Sequence, residues 1–167
     1  MSVRPLMFFG TTNLDLCFNI ERLPTPGESL MGTVTRHPGG KGANQAVAAA
    51  RLGLEPHFYT HLGDDGAGQS LLKSLMEAGV CTDAITVCAG EVSGLALVMV
   101  ADDGSNMIVI DPGANSKVAP DMIESATKFI EPDTIVVAEM GMPITALNRL
   151  FELKRKKGFE LIFNPAR

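Results

Sequence analysis

Pro38-Gly39-Gly40-Lys41-Gly42-Ala43-Asn44-Gln45-Ala46 is the stretch on which the fold turns. Three glycines stand ahead of a helical periodicity. Ala43, Ala46, Val47 and Ala50 fall at i, i+3, i+4 and i+7, one face of a helix expected from Gly42 to Leu52, with Gly53 as its C′ residue. Glycines before a helix N-terminus let a ligand reach bare backbone, where N–H groups without helical partners face it. The same residues also suit a tight strand-to-helix turn with no ligand at all. The stretch is not a Walker A loop, because position 35 is threonine and no Ser or Thr follows Lys41.

Working outward, Leu6-Met7-Phe8-Phe9 reads as a short buried strand, and Leu14 to Ile20 alternates as a half-exposed one. Pro24-Thr25-Pro26-Gly27 is a turn cluster, and Ser29 to Thr35 a further short strand. Downstream, Phe58 to Leu62 is strand-like, and Asp64 and Asp65 can cap a helix from Gly66 to Ala78 that Gly79 ends. Short β segments follow at Ile85–Cys88, Gly94–Ala101 and Met107–Asp111, the last two joined by an Asp102-Asp103-Gly104-Ser105 hairpin turn. A helix is expected over Pro120–Ile130 and a buried strand over Thr134–Ala138. Another helix starts with Pro143 at its first position and closes at Gly158, and a last strand covers Phe159–Phe163. Strands alternating with helices of about a dozen residues imply βαβ units on a parallel sheet. The β-only regions near 14–35 and 94–111 break that alternation and imply a small extra sheet.

Composition limits the function classes. With 46% hydrophobic and 20% charged residues over 167 positions, the chain has enough apolar material for a folded core. A net charge of -5 argues against a nucleic-acid partner. The basic run Lys154-Arg155-Lys156-Lys157 suits the last turn of a helix, where cations complement the dipole. Cys17, Cys81 and Cys88 are odd in number and lack metal-site spacing, so they read as reduced thiols of a cytoplasmic protein. No apolar run reaches a membrane span, and Met1 to Phe9 lacks a signal-peptide h-region.

Two polar residues near the first strand could carry chemistry. Asn13 and Asp15 stand two apart, so in an extended segment they share a face. A carboxylate beside an amide suits a polyhydroxylated ligand, whose hydroxyls can donate to one and bond either end of the other. An Asx turn or a solvated strand face is the alternative. Asp102 to Asn106 lacks a Glu at the twelfth position of a calcium loop and reads as a hairpin.

Six ordered segments together resemble the ribokinase family of carbohydrate kinases. They are Gly10-Thr11-Thr12-Asn13-Leu14-Asp15, Leu23 to Glu28, Gly39 to Ala46, Leu62 to Gly66, Gly113-Ala114-Asn115 and Asn164-Pro165-Ala166. The resemblance covers essentially the whole chain as one N-terminal α/β part, residues 1–167. It implies a Rossmann-like ribokinase fold with a small β-sheet lid formed by about 14–35 and 94–111. It also implies ATP-dependent phosphorylation of a sugar hydroxymethyl group, with Mg and a monovalent cation, and a homodimer through the lid. By the family pattern Asn13, Asp15, Gly39, Gly40, Lys41 and Asn44 bind the sugar, while Ala96 and Ile110 close over it.

Two departures shape the expectation. The family has Gln-Leu-Glu after the strand at 134–138, its Glu contacting the sugar, whereas this chain has Glu139-Met140-Gly141. Glu139 and Gly141 would face the same side, so either Glu139 reaches partway toward the sugar or one of the family's sugar contacts is missing, which weakens ribose as the specific substrate. The family's catalytic Asp, in Gly-Ala-Gly-Asp, and its Asn-x-x-Glu metal–phosphate motif are not in these residues, since Gly66-Ala67-Gly68 is followed by Gln69. The chain is therefore expected to be a sugar-binding half, truncated before the nucleotide-binding half and inactive alone. A non-catalytic sugar-binding or lid-mediated interaction module is the alternative. A sheet cut after Phe163 is further expected to leave an exposed edge and an oligomeric or poorly soluble chain.

Overall fold

The computed structural model describes residues 4–166. The strands are β1 Leu6–Phe9, β2 Asn13–Ile20, β3 Gly32–Gly39, β4 Pro56–Tyr59, β5 His61–Gly63, β6 Thr86–Cys88, β7 Gly94–Ala101, β8 Asn106–Asp111, β9 Ile135–Glu139 and β10 Glu160–Asn164. The α-helices are α1 Lys41–Arg51, α2 Gly66–Glu77, α3 Pro120–Ala126 and α4 Ile144–Lys157. Met1 to Val3, on which part of the signal-peptide reading rests, lie outside the described residues.

The architecture is the mixed α/β one that the alternation implies. A four-stranded parallel sheet runs in the order β10-β9-β1-β4. Its strands are apolar on both faces because helices cover both. On one side Met7, Phe9, Val136 and Ala138 pack against Ile123 and Ala126 of α3 and Leu147, Leu150 and Leu153 of α4. On the other, Phe8, Phe58 and Val137 meet Ala43, Ala46 and Ala49 of α1 and Leu75 of α2. The small α1 residues let that helix lie close to the sheet. Lys157, in the basic last turn of α4, donates to the carbonyls of Thr127 and Ile130, each at 2.7 Å, which ties the end of α4 to the turn after α3.

The β-only regions form a second sheet in the order β3-β2-β7-β8. β2 is antiparallel to β3 and parallel to β7, and β7 is antiparallel to β8. β3 continues to Gly39, four residues past the expected Thr35, and all eight of its residues pair with β2. Pro38 is tolerated there because β3 is an edge strand, with its outer side unpaired.

Three expected boundaries shift for identifiable reasons. The run Phe58–Leu62 is two strands, because pairing with β1 ends at Tyr59 and the Thr60 carbonyl then accepts from Thr86 N–H at 3.0 Å. The helix expected over Pro120–Ile130 stops at Ala126 and tightens into a 3₁₀ turn over Thr127–Phe129, where Thr127 Oγ1 bonds back to the Ile123 carbonyl at 3.1 Å. Pro143 is the N-cap of α4 and not its first helical residue: its ψ is 137°, and its carbonyl accepts from Ala146 and Leu147.

Leu150 is completely buried between α3 and the parallel sheet. Leu150→Ala should lower unfolding stability by about 2–5 kcal/mol, read as a lower denaturant midpoint at unchanged slope. A loss below about 1 kcal/mol would mean that this face of the sheet is not packed as described.

Candidate functional site

The site begins where two backbones cross. The link from β1 to β2 passes directly over the glycine loop ahead of α1. Ala43 N–H donates to the Thr11 carbonyl at 3.1 Å. A Cβ on Gly42 would lie 2.7 Å from Gly10 Cα, so neither glycine has room for a side chain. Gly40, the N-cap of α1, has φ 93°, a conformation that favours glycine. The glycine string is therefore required by the crossing itself, whatever else it binds.

The second sheet then aligns the polar pair. In-register neighbours in a sheet share a face. Asn13 is paired with Gly39 on β3 and Gly94 on β7, and Asp15 with His37 and Ala96. Ala96 is paired in turn with Ile110 on β8. Asn13, Asp15, Gly39, Ala96 and Ile110 thus stand on one face. The glycines leave the space the polar groups use: a Cβ on Gly39 would sit 2.1 Å from Asp15 Oδ2, and one on Gly94 would sit 2.3 Å from Asn13 Oδ1.

A cavity of about 430 Å³ opens beside this face, lined by Thr11, Asn13, Lys41, Ile110, Asn115 and Gly141 among others. That volume is in the range of small-molecule sites. Of the expected residues Asn13, Lys41 and Ile110 line it, while Asp15, Gly39, Gly40 and Ala96 stand on the neighbouring sheet and loop without lining it, and Asn44 and Glu139 lie elsewhere. Asn44 is exposed and lines a different cavity of about 690 Å³ between α1 and α2, with Arg51 and Ser74. Glu139 is completely buried and does not line the 430 Å³ cavity. Its Oε1 accepts from Thr11 N–H at 2.7 Å and Thr11 Oγ1 at 2.8 Å, and its Oε2 accepts from Gly141 N–H. The partway reach toward a ligand that the sequence allows is not what this side chain does. It turns under the β1–β2 link because three donors meet it there. Gly141 is fitted to it, since a Cβ at 141 would lie 2.7 Å from Glu139 Oε2.

Asp15, like Thr60 and His61, carries a buried side-chain atom without a partner among the described residues. In Asp15 that atom is Oδ1. Burial pushes its carboxyl above the usual carboxylate range, and the nearby His37 opposes this only in part. Sequence reasoning missed Thr11, Thr12 and Asn115 as parts of the site. The Gly113-Ala114-Asn115 motif was a visible signal for one of them, but a role for Asn115 required knowing that its turn folds back on β2. Among the described residues no group of three or more His, Cys, Asp or Glu side chains could hold a metal ion. No helix among them is long and apolar enough to cross a membrane.

A parallel α/β core carrying a second sheet, with a glycine loop at a helix N-terminus, defines an α/β fold of the Rossmann-like class. Residues 4–167 match the pfkB family carbohydrate kinase profile, and the chain belongs to that family. It is similar to the ribokinase of Bacillus subtilis, with 34% identity over 165 residues, covering 98% of this chain and 56% of the relative. It is also similar to the ribokinase of Haemophilus influenzae, with 30% identity over 164 residues, 98% of this chain and 54% of the relative. Among solved structures, Arabidopsis thaliana ribokinase complexed with ribose and ATP superposes with a TM-score of 0.84 at 32% identity, covering 97% of this chain and 53% of that one. The chain spans about half the length of these ribokinases.

A raised carboxyl pKa in the folded state means that folding favours the protonated form. That contribution is full below the unfolded pKa of Asp15 and is lost as pH rises through the folded one. Asp15→Asn cannot ionise, so at neutral pH it should melt above the wild type, and the gap should close as pH falls through the carboxylate range. Melting curves across that range check this; a wild type that is the more stable at neutral pH would contradict it.

Proposed function

We propose that this chain provides the sugar-recognition part of an ATP-dependent kinase that phosphorylates the hydroxymethyl group of ribose or a similar sugar. The observation that carries the reading is Asp15. A buried carboxyl oxygen without a partner is costly, and a ligand hydroxyl that reached it would satisfy it. Asn13, two residues away on the same face, bonds a neighbouring hydroxyl. Gly39 leaves the room that Asp15 uses, Gly40 lets the loop pass Thr12 and present its backbone toward the ring, and Lys41 adds a cationic donor at the cavity wall. Asn44 would join these contacts only if α1 and the ligand met on its exposed side. The second sheet, including the regions 14–35 and 94–111, acts as the lid, with Ala96 and Ile110 over the ring. Family membership and the likeness to a ribokinase complexed with ribose and ATP support this reading.

The lid also supports a homodimer. Met107, Ile108, Val109 and Ile110 of edge strand β8 are each more than half exposed, an apolar edge that a second lid could cover. The three free cysteines fit a reducing cytoplasm.

ATP, when bound, supplies the phosphoryl group, and Mg and a monovalent cation would neutralise charge on it; no residue of this chain is assigned to them. What these residues do is bind and orient the acceptor sugar. General-base assistance is worth roughly 10²–10⁴-fold, and the positioning of a phosphoryl donor more. Without groups beyond this sequence, the chain is expected to bind sugar and not to turn over.

Calorimetric titration of D-ribose and related pentoses, followed by a coupled ADP-release assay with ATP and magnesium, tests this. Sugar binding that disappears in Asp15→Ala, with no ADP release, is the expected result. No binding by any sugar of the panel would overturn the reading, and sugar-dependent ADP release would overturn its account of the catalytic groups.

A further inference from the structure

Asn115 lies in the 3₁₀ turn Gly113–Lys117 that follows β8, and it is 2% exposed. Its side chain bridges to the far end of the polar pair. Thr12 N–H donates to Asn115 Oδ1 at 3.0 Å, and Asn115 Nδ2 donates to the Thr12 carbonyl at 3.0 Å. A backbone N–H can only donate and a carbonyl can only accept. These two contacts therefore fix which end of the Asn115 amide is oxygen and which is nitrogen. The same Nδ2 donates to the Asn13 side chain at 2.9 Å, so the Asn13 atom facing it must be its oxygen. The orientation of the Asn13 amide follows from backbone chemistry. Gly94 is part of the device, because a Cβ there would lie 2.2 Å from Asn115 Nδ2 and 2.3 Å from Asn13 Oδ1, inside the hydrogen bond between them.

We infer that Asn115 is a positioning residue that sets the hydrogen-bonding polarity of the sugar site, holding Asn13 so that it presents its amide donors, and not its oxygen, beside the acceptor Asp15. This rests on the proposed sugar site and deepens it. A donor next to an acceptor on one strand face selects a hydroxyl, which can accept from Asn13 and donate to Asp15 at once. A group that only accepts, such as fluorine, keeps the first bond and loses the second. A hydrogen in the same place loses both. The ligand favoured is thus one with a free hydroxyl at this point, and the discrimination is set by a residue that need not touch the ligand.

Asn115→Asp is nearly isosteric and still accepts from Thr12 N–H, but it can donate neither to the Thr12 carbonyl nor to Asn13. With its clamp reversed, the Asn13 amide turns and presents its oxygen beside Asp15. D-ribose affinity should fall about tenfold to a hundredfold. In an Asn13→Ala background the same substitution should change affinity no further, which a general structural defect would not produce. An Asn115→Asp protein that binds D-ribose like the wild type, or that loses affinity equally with and without Asn13, overturns the inference. Side-chain amide hydrogen exchange by NMR in the ligand-free wild type tests it independently of any variant and of any sugar. The Asn115 NH₂ should exchange slowly and the Asn13 NH₂ faster, and the reverse order overturns it. Failure of D-ribose to bind the wild type would count against the proposed function; the exchange order still decides the role of Asn115.

Discussion

The backbone of residues 10–12 runs against that of residues 40–43 with no side chain between them, and the rest of the molecule is arranged around that contact. It joins the two sheets: β1 belongs to the parallel sheet, β2 to the second one, and the link between them is held down by the N-terminus of α1. Gly10 and Gly42 are the steric requirement, because a methyl group on either would need about an ångström of separation that the packed helix cannot give. Once the link is pinned, β2 leaves it at a set angle, and Asn13 and Asp15 have one face on which to stand. Position in the sequence and position at the site are thus connected through van der Waals contact before any hydrogen bond is considered.

Hydrogen bonds then lock the link from both sides. Below it, Glu139 at the end of β9 receives Thr11 and Gly141. Beside it, Asn115 receives and returns bonds to Thr12. A buried carboxyl that lost these donors would carry the full cost of its desolvation, so the chain gains a strong preference for one conformation of residues 10–13. The two clamps come from elements more than a hundred residues downstream, which couples the shape of the site to completion of the fold. Asp15 stands outside this network, with a buried oxygen left open.

Much of this was legible in the sequence, for physical reasons that differ from element to element. The helical stripe of α1 and the apolar runs of β1 and β9 have one period and one burial pattern, so the parallel core could be read directly. The second sheet announced itself as β segments without helices between them. What could not be read was the set of distances between remote segments. Glu139 faces the side its strand position implies, yet it goes to Thr11 because the β1–β2 link lies there, a fact that only the folded chain contains. Asn44 is grouped with Lys41 by the family pattern, but the structure places it against the α1–α2 cavity and not the one that Lys41 lines. β3 runs past the expected Thr35 because Arg36, His37 and Pro38 pair with β2, a partner that lies outside their own stretch of sequence.

A sugar is proposed to sit on one face of the second sheet, beside the glycine loop. Backbone amide shifts of the ¹⁵N-labelled chain, followed by NMR through a D-ribose titration, test it most directly. Saturable shifts are expected at Asn13 to Asp15, Gly39 to Lys41, Ala96 and Ile110, with the α1–α2 cavity around Arg51 and Ser74 unmoved. Shifts confined to that second cavity, or no shifts at saturating ribose, would contradict it.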